Sequence, residues 1–147
     1  MIRNILFSIF FFVGIIIISV MFLPALLLPK KITLLGGKLM GHWAEFCLRV
    51  FLSVKIIIKG KENIITDQKF FIAASHQSMF ETFYLLTVFN SQVFILKKEL
   101  LRIPIFGWYL KKIGSISIKR NKISRNNLGI FEGILRTISS SDRLMII

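Results

Sequence analysis

The sequence holds a single cysteine, Cys47, so no second thiol is present to close an internal disulfide. Its expected role is that of a small apolar residue. Only two histidines occur, His42 and His76. With one cysteine beside them, a zinc site would need carboxylates at no recognisable spacing, and no metal is expected. Acidic residues are scarce: 7 Asp and Glu stand against 20 Lys and Arg, a net charge of +13. That surplus draws a chain towards anionic lipid headgroups or towards nucleic acid. No known nucleic-acid reader motif is present, and most of the 15 Phe lie in apolar runs rather than beside exposed Lys or Arg. A basic nucleic-acid binder on a membrane tether is therefore disfavoured, and no nucleic-acid partner is expected. There is no internal repeat and no low-complexity stretch.

Charge is missing altogether from residues 4–29, and 5–28 form a run of 24 almost entirely apolar residues. As a helix that run measures about 36 Å, against a hydrocarbon core of about 30 Å. It is too long for the apolar part of a signal peptide, and no small-x-small cleavage site follows it. An uncleaved membrane anchor is the expectation. Pro24 removes one helical hydrogen bond and predicts a kink, so the segment crosses once or bends within one leaflet. Arg3 precedes the run, and Lys30 and Lys31 follow it, which leaves its orientation open. Beyond it, Lys38, His42, Glu45 and Arg49 recur every three or four positions. Leu39, Met40, Trp43, Phe46, Cys47, Val50, Phe51 and Val54 cover the remaining face. The pattern predicts an amphipathic helix with a wide apolar face, suited to the membrane interface or to packing on the first helix. A core helix of the following domain fits the same pattern. His42 falls on the polar stripe and reads as a solvated side chain.

From residue 54 the periodicity changes. Residues 54–59 are rich in Ile and read as a strand stopped by Gly60, and 61–68 as a loop. Residues 69–74 read as a short buried strand, 80–89 as a helix and 92–96 as a further strand. Pro104 opens a helix that Gly114 ends. Residues 115–119 alternate as a half-exposed strand does. Leu128, Phe131, Ile134, Leu135 and Ile138 sit at helical spacing, 139–142 form a turn, and 143–147 begin a strand. Strands alternating with helices predict an α/β domain: a mixed, largely parallel sheet flanked by helices, preceded by the membrane helix and the amphipathic helix. The expected division is residues 1–53 as membrane-anchoring helices and 54–147 as the first part of the α/β domain. A terminus inside an apolar strand is unusual, so the reading is of a truncated chain. The strand at 143–147 would then be an unpaired sheet edge.

The residues able to carry chemistry follow the strand at 69–74. Ser75, His76, Gln77, Ser78 and Glu81 occupy a strand-to-helix turn, and sites in open α/β sheets gather at the carboxyl ends of strands. An imidazole there takes a proton from a substrate hydroxyl, and a carboxylate on its other nitrogen fixes the tautomer. On one continuous helix His76 and Glu81 would diverge by about 140°. They meet only if His76 lies in the turn and Glu81 in the first helical turn. Spacing alone equally allows a capping box, with Ser78 as N-cap answered by Glu81.

His76-x-x-x-x-Glu81 after an apolar strand resembles the His-x4-Asp motif of the 1-acylglycerol-3-phosphate acyltransferases. Lys97-Lys98-Glu99-Leu100-Leu101-Arg102-Ile103-Pro104-Ile105-Phe106-Gly107-Trp108 resembles that family's segment between its first two motifs. Gly114-Ser115-Ile116-Ser117-Ile118-Lys119-Arg120 resembles its second motif. The likeness runs from about residue 54 to 147. It implies transfer of a fatty acyl group from acyl-CoA or acyl carrier protein to the sn-2 hydroxyl of lysophosphatidic acid, giving phosphatidic acid, with no cofactor beyond the acyl donor.

The resemblance further implies His76 as the base, Glu81 as its orienting acid and Arg120 as the residue that binds the substrate phosphate. Gln77 and Ser78 would be possible donors to the oxyanion. It implies membrane lipids as neighbours and a bacterial cytoplasmic membrane with the catalytic part on the cytoplasmic side. Without it, Arg120 reads as a solvated charge beside Lys119 and Lys122. Two departures stand out: Glu81 replaces the usual Asp, and the family's third motif, a Pro-Glu-Gly-Thr type loop, is not in this sequence. An inactive remnant of such an enzyme is therefore the alternative expectation.

Overall fold

The computed structural model describes residues 2–63, 71–73, 78–89, 92–118 and 143–146. Helix α1 spans Ile2–Met21, about 30 Å at 1.5 Å per residue. Pro24 does not kink this helix; it ends it. The chain leaves the α-helix at Phe22 and makes a 3-10 turn over Leu23–Leu26, with Pro24 in its opening positions, where a missing N–H is harmless. Helix α2 then runs from Lys30 to Leu52, eight residues earlier than the polar stripe from Lys38 suggests.

The two helices form an antiparallel hairpin. Phe11 packs with Ala44 and Cys47, and Ile18 with Met40. At the open end Arg3 donates from Nε to the Phe51 carbonyl (2.8 Å) and from Nη2 to Ser53 Oγ (3.0 Å). At the closed end Thr33 Oγ1 donates to the Ala25 carbonyl at 3.0 Å. The buried residues of α2 are Thr33, Gly36, Met40, Gly41, Ala44 and Cys47, mostly small. Small side chains let helix axes approach closely, and Cys47 fills the role expected of it, fully enclosed. His42 is exposed, as its place on the polar stripe requires.

Residues 54–59 are not a strand. They lie in neither helix nor sheet, and Val54, Ile57 and Ile58 are exposed. High β-propensity alone does not hold a strand without a partner on which to pack. The sheet consists of β1 (Phe71–Ala73), β2 (Gln92–Lys97), β3 (Ile116–Ile118) and β4 (Arg143–Ile146), in the order β1-β4-β2-β3. All three pairings are parallel. The expectation of an unpaired edge at 143–147 is overturned, because β4 bonds to β1 on one side and to β2 on the other. The long return from β3 carries it inward, a non-local choice that no periodicity records.

Helix α3 (Met79–Val88) connects β1 to β2. A 3-10 turn (Lys98–Arg102) and α4 (Phe106–Lys112) connect β2 to β3. Strand β2 is buried on both faces: Val93, Phe94, Ile95 and Leu96 are each at most 5% exposed, as an inner strand of a covered parallel sheet requires. Phe94 and Leu96 meet Leu86 of α3 and Leu110 and Ile113 at the end of α4 in one cluster. Helices α3 and α4 therefore cover one face, and the hairpin packs onto them through α2. Helix α4 ends as expected at Gly114, whose φ of +83° a glycine adopts freely. The N–H groups of Ser115 and Gly114 return to the Leu110 and Lys111 carbonyls, a Schellman closure. The helix expected around 128–138 and the turn at 139–142 lie outside the described residues.

Candidate active site

Parallel pairing fixes which strand ends share an edge. Ala73 of β1 and Ile95 of β2 both stand opposite Ile146 of β4, and Lys97 of β2 stands opposite Ile118 of β3. The carboxyl ends of all four strands thus open on one side of the sheet, where substrates of open α/β folds bind. Strands β1 and β3 are three places apart, so their ends are separated by about 14 Å at 4.8 Å per step.

Strand β1 ends at Ala73 and α3 begins at Met79, so a short strand-to-helix connection exists where the sequence requires one. Ser78 is the N-cap residue of α3, with extended backbone angles (φ −150°, ψ 157°), and it is exposed. Its side chain makes no capping hydrogen bond, so the Ser78 half of the capping box allowed by the spacing is not formed. Glu81 lies in the first turn of α3 and is half-buried. His76 and Gln77, in the connection, and Arg120, two positions beyond β3, lie outside the described residues. Among the described residues no three or more His, Cys, Asp or Glu side chains come together as a metal site would require.

Beside Glu81 the structure holds a feature that sequence reasoning missed. An apolar cavity of about 450 Å³ opens against Thr82 and Phe83 in the first half of α3. Phe94 and Leu96 of β2 form its floor. Leu100, Ile103, Pro104 and Ile105, with Phe106 and Leu110 of α4, form one wall. Phe12, Ile15, Ile16 and Ser19 of α1 form the other. Its size falls in the usual range for small-molecule sites, about 300–1,000 Å³. A second apolar cavity, of about 50 Å³, shares Thr82, Phe83, Phe94, Phe106 and Leu110 with it and reaches α2. Phe83 and Phe106 meet edge to face at 6.0 Å on this shared wall.

The wall formed by residues 103–106 is strained. Ile105 has φ +62° and ψ −59°, and the Phe106 N–H donates to the Pro104 carbonyl at 2.6 Å. This is a γ-turn of the rare hand, and its central residue is β-branched. The Gly107 and Tyr109 N–H groups return to the Ile103 and Ile105 carbonyls and hold the turn in place. Pro104 accordingly lies in the turn that precedes α4 and not in the helix it was expected to open.

Outside the cavity, α1 presents Ile2, Ile5, Ile9, Val13, Ile17, Val20 and other apolar side chains to the surroundings. Only 17% of its most apolar stretch is buried, where the core helix of a water-soluble domain would be mostly covered. Helix α2 adds an outward apolar stripe of Leu35, Leu39, Phe46 and Val50. These exposed apolar side chains, above all those of α1, point to membrane association.

The family model described as "Acyltransferase" matches residues 55–147. A Pseudomonas aeruginosa protein named 1-acyl-sn-glycerol-3-phosphate acyltransferase is 36% identical over 84 residues. That segment is 55% of this chain and 32% of the relative. A chloroplastic protein of the same name from Arabidopsis thaliana is 34% identical over 79 residues, 53% of this chain and 22% of the relative. A third, from Brassica napus, is 32% identical over a segment of the same length. The matched part of the chain thus spans a third or less of each relative. No solved structure matches the chain.

Proposed function

The chain belongs to the acyltransferase family, and from that premise we propose that it serves as a lysophosphatidate acyltransferase working at a membrane surface. The observation that carries this reading is the apolar cavity that reaches Thr82 and Phe83 in the first half of α3, where Thr82 follows Glu81 in sequence. A fatty acyl chain is the substrate part that suits a cavity walled almost wholly by hydrocarbon. The relatives' names supply the acceptor: a 1-acyl-sn-glycerol 3-phosphate.

In the proposed reaction His76 takes the proton of the sn-2 hydroxyl, and the oxygen attacks the thioester carbonyl of acyl-CoA or acyl carrier protein. The carbon–sulfur bond breaks, and the departing thiolate recovers the proton from the imidazolium. No covalent intermediate with the enzyme forms. Glu81 holds the second imidazole nitrogen and stabilises its charged form. It has one methylene more than the family's Asp, and its place in the first helical turn allows the longer side chain to reach back along the connection. Ser78, the N-cap residue of α3, and Gln77, which precedes it in sequence, would donate near the oxyanion, where the free N–H groups of the helix start favour a developing negative charge. Arg120 grips the phosphate with its planar fork across the opening of about 14 Å between the ends of β1 and β3. The acyl donor is a co-substrate, and the reaction calls on no metal.

The hairpin of α1 and α2 would lie in the membrane, with the outward apolar faces against lipid and the catalytic part on the cytoplasmic side of a bacterial inner membrane. The test is turnover by the intact protein in vesicles containing lysophosphatidic acid, with acyl-CoA and with acyl carrier protein thioester. Esterification at sn-2 is expected, with loss of at least 100-fold in His76→Ala. Undiminished turnover in that variant would remove the proposed base.

A further inference from the structure

The large cavity is not built by the α/β part alone: Phe12, Ile15, Ile16 and Ser19 of α1 make one of its walls. That wall holds its position only as well as α1 is held against the rest of the protein. Ile15 and Ile18 of α1 pack with Phe83 and Phe106, and to this packing, among the described residues, one buried hydrogen bond is added at this point. The Tyr109 hydroxyl, on α4, donates to the Ser19 carbonyl at 2.6 Å, across 90 positions of sequence. Ser19 O is one of the last four carbonyls of α1, where helical partners run out; the Phe22 N–H closes the preceding turn on Ile18. The Ser19 hydroxyl turns back to the Ile15 carbonyl at 2.7 Å. Both residues are buried. Burial raises the Tyr109 pKa, so the hydroxyl remains a donor.

Position decides what this bond does. Tyr109 lines the small cavity, whereas among the described residues the large one is lined on α4 by Phe106 and Leu110, which lie to one side of Tyr109 round the helix. The hydroxyl therefore does not touch the contents of the large cavity. It acts on the wall from behind. We propose that Tyr109 is a positioning residue that pins the second half of α1 as a wall of the acyl site, making the membrane helix part of the substrate pocket. This rests on the acyltransferase reading given above.

The test uses the intact protein in vesicles with a 16-carbon fatty acid bearing a photoreactive diazirine, mapped by mass spectrometry. In the wild type, label is expected on residues 12–19 of α1 and on residues 100–110. In Tyr109→Phe, which keeps the ring, label on 12–19 should fall about tenfold while that on 100–110 persists, in proportion to one buried hydrogen bond. In parallel, KM for the acyl donor should rise about tenfold with kcat within about twofold. Tyr84→Phe, on α3 and outside both cavities, should match the wild type in each measurement. Equal loss at both segments, no loss at either, or a fall in kcat at unchanged KM overturns the positioning role. A wild type that is labelled at neither segment and turns over no lysophosphatidate overturns the acyltransferase reading itself, and the role of Tyr109 with it.

Discussion

Gly41 of α2 faces the Phe83 carbonyl of α3 so closely that a methyl group in place of its hydrogen would sit 2.5 Å from that oxygen and 2.5 Å from the Thr87 methyl. The obstacle is helical backbone, which does not yield as a side-chain tip does. Gly41→Ala is therefore expected to push α2 off α3 and to destabilise the protein by about 1–3 kcal/mol, although alanine is the better helix former. Thermal unfolding in detergent checks this. A melt equal to or above that of the wild type would mean that the two helices are not in contact there.

The carboxylate of Glu81 has a chemical task in the proposed mechanism, and charge and length can be separated. Glu81→Gln keeps the shape and removes the charge that stabilises the imidazolium; kcat/KM should fall about 100-fold or more. Glu81→Asp restores the acid of the related motif and should stay within about tenfold. Steady-state kinetics with lysophosphatidic acid decide between them. Equal activity of the Gln variant and the wild type would leave Glu81 as a helix residue only.

Arg120 is proposed to hold phosphate through two parallel bonds, which lysine cannot reproduce. Arg120→Lys should raise KM for lysophosphatidic acid about tenfold. Its turnover of monoacylglycerol, which lacks the phosphate, should not change. A parallel loss on both acceptors would contradict phosphate recognition.

Ile105 offers a test of strain that inverts the ordinary order of stability. Alanine normally exceeds glycine, by roughly 0.5–1 kcal/mol in regular structure. At φ +62° and ψ −59°, glycine relieves a conformation that costs a residue with a Cβ about 1–3 kcal/mol. Ile105→Gly should therefore unfold at a higher denaturant concentration than Ile105→Ala. The opposite order would show that the turn is not held in this form.

The outward face of α1 is proposed to meet lipid, and a charge there is costly. Ile9→Asp and Val13→Asp, both outside the cavity, each place a carboxylate mid-helix, a cost of about 2.5–3.5 kcal/mol in a bilayer. Together they should shift the protein from the floating to the sedimenting fraction in vesicle flotation. Retention of both variants on vesicles at high salt would argue against burial of this face in hydrocarbon.

Much of the architecture was readable from the amino acids. The apolar run gave α1, alternation of strand and helix signals gave the α/β layout, and β2 and α3 fall within a residue of their expected bounds. The errors have physical causes. Residues 54–59 have the composition of a strand but pair with no strand among the described residues, and composition carries no information about partners. Pro24 predicts a kink only within one continuous helix; the chain turns back there instead, and α2 starts earlier. The insertion of β4 between β1 and β2 and the contact between Tyr109 and Ser19 join residues far apart in sequence, which no local pattern reports. Near the proposed site, Ser78 is the N-cap of α3 and Glu81 lies in its first turn, whereas the cavity, assembled from α1, α3, β2 and α4, has no linear signature.

The inner place of β4 has a consequence for how the protein comes into being. Strands β1 and β2 share no bond with each other; each bonds to β4, which is translated some fifty residues after β2. The ribosome must deliver the chain to Ile146 before these two can be joined, and pairings of such long range form slowly. During that interval the α1–α2 hairpin, whose contacts are complete far sooner, is free to enter the bilayer. On the proposed membrane reading, the order of synthesis favours attachment of the hairpin to lipid before the sheet closes.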